Sequence, residues 1–262
     1  MTMTTALNSQ VPTIRLHSLN SAAAQQNNLR VMHIIRHAQG YHNINNDYKN
    51  PNNLDAELTE FGIQQCKELS KRLKDEKLDV ECIISSPMRR ALQTAYHSFE
   101  HVWKSEEDLN LNQQIQQPKS KDIPFVACEN WRETVNYICD VRFSRSRLRK
   151  DFPYVDFGNI EHEEDPIWKY YEAKHGSLEE YTRVRESNDD EMLVKRARQA
   201  WSTIAERPER SLAVVSHSAF FMHMFTRPEL GIVSYEDSDV EALMMNGFEN
   251  CEMRSVAFEI CN

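Results

Sequence analysis

Three places in the 262-residue chain set a basic side chain within a few residues of the end of a short apolar run. VMHIIRHAQGYHN, residues 31–43, brings Arg36 and His37 to the end of Val31–Ile35, with His33 and His42 close by. LAVVSHSAFF carries His217 and Ser218 past Leu212–Val215, and IISSPMRRALQTA carries Arg89 and Arg90 past Glu81–Ser85. Two histidines with two or three arginines suit phosphoryl transfer. Guanidinium forks match phosphate oxygens in pairs, and helix N-termini add backbone donors. Neutral imidazole is a good nucleophile, and neighbouring arginines keep it neutral by lowering its pKa. The same arginines stabilise charge on the transferring group. Two other readings stand beside this one. A metal site is opposed by the absence of H-E-x-x-H spacing and by Arg36, which repels a cation. Structural histidines without chemistry are opposed by the match between two junctions and an arginine-bearing helix.

These residues need elements that deliver them to one place. In open α/β sheets, ligands bind beyond the carboxyl ends of the strands. Five apolar segments read as strands: Val31–Ile35, Glu81–Ser85, Phe125–Ala127, Leu212–Val215 and Ser255–Ile260. The first and fourth are continuous rather than alternating, as in strands covered on both faces. Helical patterns lie between them. One is capped by Thr59 and runs to about Leu73, and one has Ser86 as N-cap with Pro87 at the first position. A third spans roughly Glu191–Glu206, and a fourth starts near Ser218. This alternation predicts an α/β fold, a three-layer helix–sheet–helix sandwich with a mostly parallel sheet. Between about residues 106 and 189 the pattern weakens. That region is expected to be an irregular, partly helical insertion over the active-site rim, with a polar loop at 110–121.

Residues 1–30 contain no acidic side chain and are rich in Ser, Thr, Asn, Gln and Ala. They are expected to be a disordered leader or a transit segment, leaving 31–262 as the folded domain. The formal net charge of −9 argues against nucleic acid as a partner, while leaving room for a local basic pocket. No apolar run is long enough to span a bilayer, so no membrane association is expected. Six cysteines are dispersed without a C-x-x-C pair, which favours reduced thiols and a cytoplasmic setting.

RHAQGYHN, DAELTEFGIQQ, SSPMRRALQTA and VVSHSAF, in this order, resemble the landmark motifs of the histidine phosphatase superfamily, the phosphoglycerate mutase-like proteins. The chain is most similar to the plant and fungal phosphoglycerate mutase-like branch. The resemblance implies that His37 is the nucleophile that becomes phosphohistidine, and that Arg36, Asn43 and Arg90 bind the phosphoryl group. It also implies that His217, followed by Ser218, donates to the phosphate. The family places a general acid after the third strand, where Glu129 is the first choice and Glu133 the alternative, the latter otherwise a solvated helix-face acid. Specificity is expected from the insertion, with Arg142 foremost among Arg145, Arg147, Trp131, Tyr137 and Trp168.

The chain departs from the mutase pattern at Ala38, Gln39 and His42. Ser218 stands where the acid phosphatase branch carries an aspartate. The implied activity is therefore metal-independent, cofactor-free hydrolysis of a small phosphomonoester. A phosphoglycerate-type mutase and a non-catalytic phospholigand-binding protein are the alternatives.

Overall fold

The computed structural model describes residues 13–103, 123–181, 183–227 and 230–261. In chain order the elements are β1 (Thr13–His17), α1 (Ala22–Gln26), β2 (Arg30–Arg36), α2 (Glu60–Asp75), β3 (Cys82–Ser85), α3 (Arg89–Ser98) and α4 (Glu100–Trp103). Then come β4 (Phe125–Ala127), α5 (Arg145–Asp151), α6 (Pro166–His175), α7 (Glu191–Ala205) and β5 (Ser211–Ser216). The chain continues through α8 (Ser218–Phe225), β6 (Val233–Tyr235), α9 (Ser238–Met245) and β7 (Met253–Cys261).

The seven strands form one sheet in the order β4-β3-β5-β2-β7-β1-β6. Only β7 runs against its neighbours: β2 and β5, β3 and β5, β3 and β4, and β1 and β6 all pair in parallel. Alternate residues of the central strands explain the two helical layers. Met32, Ile34, Leu212, Val214, Cys82 and Ile84 pack with α7, α8 and α9 through Trp201, Phe220 and Met244. Ile35, Ile83, Ala213 and Val215 face the other way, onto Leu69 and Leu73 of α2 and Leu92 and Ala95 of α3. Burying each such aliphatic side chain contributes about 1.5–3 kcal/mol, so β2 and β5 are fixed from both faces. The expected three-layer, mostly parallel sandwich is the observed one.

The ends of α2 and α3 decide where the loops run. Thr59 caps α2, its hydroxyl accepting from Gly62 N at 2.9 Å. Gly62 lets the helix approach the Gln39 carbonyl, into which a Cβ would run. Capping of α3 differs from expectation. Met88, not Ser86, is its N-cap; the Ser86 hydroxyl lies 2.8 Å from His217 Nε2 and accepts from Met88 N at 3.4 Å.

The expected leader is corrected from residue 13 onward; residues 1–12 lie outside the described part. TIRLH alternates, with Ile14 and Leu16 fully buried, and pairs with both β7 and β6. Arg15 stands opposite Glu259 and His17 bonds Glu259 at 3.0 Å, so polar neighbours complete the strand rather than oppose it. The insertion also holds more of the core than expected. The expected strand Phe125–Ala127 lies within it as edge strand β4, and Leu148, Phe152, Phe157 and Ile160 join the core around α2 and α3. The polar loop expected at 110–121 lies outside the described residues. His33 is a strand residue: Ser255 and Ser211 hydroxyls lie 2.8 and 3.3 Å from its ring nitrogens, and burial pulls its pKa down to about 4.

Candidate active site

The carboxyl ends of β2, β3 and β5 meet at a cleft of about 310 Å³. It is lined by Arg36 at the end of β2, by His37, His42 and Asn43 from the loop that follows, and by Arg90 from α3. The insertion adds Glu133, Tyr137 and Asp140, while Ser218 and Met222 of α8 close the side.

His37 is buried and its orientation is fixed. Its Nδ1 donates to the Ala38 carbonyl at 2.7 Å. A carbonyl only accepts, so Nδ1 carries the proton and Nε2 keeps its lone pair. The backbone is pinned as well. His37 N donates to Ser216 O at 2.9 Å, and Asn250 Nδ2 donates to His37 O at 3.0 Å. Burial holds the imidazole pKa well below its ordinary value, with Arg90, His42 and Arg36 pushing the same way. The ring is therefore neutral at pH 7.

His217 sits behind it, fully buried, with ring centroids 5.0 Å apart. Burial and Arg90 also keep its pKa well below the usual value. Its Nε2 is engaged with Ser86 Oγ, whereas Nδ1 has no hydrogen-bond partner. His42 stands 5.4 Å from the His37 ring and is likewise neutral, its pKa driven to about 2 by burial, Arg90 and Arg36. Gly40 is required beside it, because a Cβ there would come within 2.7 Å of His42 Nδ1.

The two guanidinium groups are anchored at their tips. Arg36 Nη1 donates to Phe248 O at 2.6 Å. Arg90, 1% exposed, gives Nη1 to Cys139 O at 2.7 Å and Nη2 to Asp140 Oδ1 at 3.3 Å. In both, Nε is buried with no protein partner. A buried donor left alone costs about 1–3 kcal/mol, which an anion in the cleft would recover. Arg89 turns elsewhere, pairing with Glu57 and covering the Phe143 ring. Asn43 holds the loop itself, its Oδ1 accepting from Gly40 N at 3.0 Å.

Two expectations are corrected here. Glu129 does not face the cleft: its carboxylate bonds Arg132 at 2.9 Å and Arg142 at 3.2 Å beneath a separate cavity. Arg142 is not free to meet a substrate either. It is 3% exposed and, besides Glu129, spends its donors on the carbonyls of Phe143, His162, Glu163 and Glu164. Of the aromatic residues considered, Trp131 and Trp168 are packed in cores and only Tyr137 lines the cleft.

The carboxyl that reaches the cleft is Glu133. It accepts from Thr134 N and Phe220 N, both at 2.9 Å, and from Ala219 N at 3.4 Å. The amides at the start of α8, expected to serve phosphate, thus hold this carboxylate instead. Burial, reinforced by Asp140, nevertheless pushes its pKa up to about 7 against the opposing amides and Arg90. Asp140 and Ser86 are further site residues that the sequence did not mark. Asp140 is the buried counter-ion of Arg90, and its other oxygen accepts from the amides of Asn136 and Tyr137. The Arg90–Asp140 and Ser86–His217 contacts join segments distant along the chain, so no local pattern announces them. Among the described residues, no group of three His, Cys, Asp or Glu side chains could hold a metal ion.

A family model for the histidine phosphatase superfamily (branch 1) matches residues 32–111. Phosphoglycerate mutase-like protein 1 of Arabidopsis thaliana is 31% identical over 244 residues, covering 87% of this chain and 80% of that one. A probable phosphatase of Schizosaccharomyces pombe is 27% identical, covering 72% and 74% respectively. A solved structure from Escherichia coli, named as a candidate alpha-ribazole-5'-P phosphatase, shares the fold with a TM-score of 0.50 and 14% identity. It covers 89% of this chain and 96% of its own.

Proposed function

The chain belongs to the histidine phosphatase superfamily, and we propose that within it the protein is a phosphomonoesterase using His37 as nucleophile. The observation that carries this reading is the fixed tautomer of His37. Its Nε2 lone pair is available in a cleft holding two guanidinium groups and a carboxyl of raised pKa.

The steps follow from these groups. Arg36 and Arg90 receive the phosphoryl oxygens through the Nε donors that lack protein partners, and neutral His217 adds Nδ1–H when Ser86 donates to its Nε2. His37 Nε2 forms the N–P bond as the ester P–O bond breaks. Protonated Glu133 gives its proton to the departing oxygen. In the second half, the Glu133 carboxylate takes a proton from water, whose oxygen attacks phosphorus. The N–P bond breaks and phosphate leaves, returning His37 and Glu133 to their starting states. A pKa near 7 lets one carboxyl serve both halves. No step calls for a metal or cofactor.

The test is phosphate release from a panel of phosphomonoesters, with and without chelator, in wild type and His37→Ala. Activity is expected to survive chelator and to vanish in His37→Ala. A base-stable radiolabelled phosphoenzyme should form on wild type only. Activity that survives His37→Ala would overturn the assignment. Accumulation of an isomeric phosphoester with negligible phosphate release would identify a mutase, and binding without turnover a non-catalytic phospholigand-binding protein.

A further inference from the structure

The walls of the cleft also speak to what the phosphate is attached to. Among the described residues that line it, the only cations are Arg36 and Arg90, and they stand with two acids, Glu133 and Asp140. A phosphoryl dianion occupies both guanidiniums. A second anion on a short leaving group stays inside the same 310 Å³, where it meets Glu133 with no cation left to receive it.

The outward wall is aromatic instead. From His37 the ring of His42 leads at 6.0 Å to Tyr48, which stacks on Tyr137 at 5.3 Å and 29°. Tyr137 is 39% exposed, and Met222, which lines the same cleft, is 52% exposed. Tyr137 is also shared with a second groove, of about 380 Å³, lined by Pro51, Ile138, Leu178 and Val184. Lys49 and Arg183 stand in that groove beyond Tyr137, together with Glu179. Beyond neutral His42, the rings leading outward from His37 are therefore aromatic and uncharged for the width of two tyrosines.

We propose that this enzyme acts on phosphate esters of bulky, uncharged aromatic alcohols, whose ring lies against Tyr48 and Tyr137 and points toward the second groove. This inference rests on the phosphatase reading above and gives its site a substrate class. Small phospho-acids, which carry a carboxylate near the ester, are poor substrates on the same grounds. Tyr137 selects among leaving groups; it takes no part in bond making.

Three esters of primary alcohols separate these ideas with little change in leaving-group chemistry: 2-phenylethyl phosphate, ethyl phosphate and phosphoglycolate. In wild type, kcat/KM for 2-phenylethyl phosphate should exceed that for ethyl phosphate by about tenfold, the scale of one aromatic contact. Phosphoglycolate should be the slowest of the three. In Tyr137→Ala the phenylethyl-to-ethyl ratio should fall toward one, mainly through KM, and Tyr137→Phe should restore it. Equal wild-type values for the first two esters, a preference for phosphoglycolate, or a ratio unmoved in both Tyr137→Ala and Tyr48→Ala would overturn the substrate class. Those results leave the phosphatase reading standing. Release from none of the esters, or release that survives His37→Ala, sinks that reading itself.

Discussion

Replacing Glu133 with glutamine tests the assignment of the acid and the physical reason for it together. The carboxyl is raised from 4.5 to about 7 by burial and Asp140. As the proton donor to the leaving oxygen it must be protonated, so kcat/KM for an alkyl phosphate should descend above pH 7, roughly tenfold per unit. Glu133→Gln should lose that limb and about 10²–10⁴-fold in rate. With p-nitrophenyl phosphate, whose leaving group departs without a proton, the loss should be much smaller. The same shift has a consequence for stability. A folded-state pKa raised above the unfolded value means the native state holds the proton longer. The stabilisation is complete below pH 4.5 and is lost as pH rises through 7. At about 1.4 kcal/mol per unit the window is worth roughly 3 kcal/mol. Urea unfolding at pH 5 and pH 8 should show wild type losing that order of stability relative to Glu133→Gln, the buried neutral histidines His33, His37, His42 and His217 shifting both proteins alike. Glu129→Gln serves as the control and should keep its pH profile. A wild-type profile that does not bend near pH 7, or a glutamine variant within threefold of wild type on the alkyl ester, would refute the reasoning.

Arg90→Ala should abolish turnover and also strand Asp140, which is 4% exposed, without its counter-ion. Breaking such a pair costs about 3–5 kcal/mol, visible as a fall of roughly 10 °C in the melting midpoint. Gly62→Ala sets a helix-propensity gain of about 1 kcal/mol against overpacking of about 1–3 kcal/mol on the Gln39 carbonyl. Since backbone must yield, chemical denaturation should show a net loss. Removing residues 1–28 deletes β1 and the burial of Ile14 and Leu16, about 3–6 kcal/mol before any lost strand pairing. The truncated chain should be insoluble or melt far below the full chain, where a removable leader would leave it unchanged.

The legible parts of the site were those whose chemistry sits at the end of a strong local signal. β2 and β5 are continuous apolar runs, and the residues that follow them are carried to the rim by strand geometry alone. The choice between Glu129 and Glu133 had no such guide. A turn of 3₁₀ helix at Glu129–Trp131 leaves Glu129 with Arg132 and Arg142, and Glu133 is drawn in by amides of α8, nearly ninety residues away. Ser86 followed by proline looks like a helix start, yet its hydroxyl also meets a histidine that follows another strand. Arg142 belongs to a basic run that reads as solvated or substrate-facing, and only the folded chain shows its donors consumed by carbonyls. β1 leaves little local signal because its five alternating residues sit inside a polar stretch, and their partner strand lies more than two hundred residues downstream.

That long-range pairing has a bearing on how the protein comes into being. β7, residues 253–261, sits between β2 and β1, and the turn before it grips the backbone of Arg36 and His37 through Asn250 and Cys251. While the ribosome is still short of residue 250, β2 has one open flank, β1 has no antiparallel neighbour, and the His37 carbonyl is unclaimed. Pairings of this sequence separation close slowly and leave strand edges unprotected meanwhile. Until residues 253–261 have cleared the exit tunnel, the nascent chain is thus exposed to mispairing and the backbone at His37 lacks its clamp.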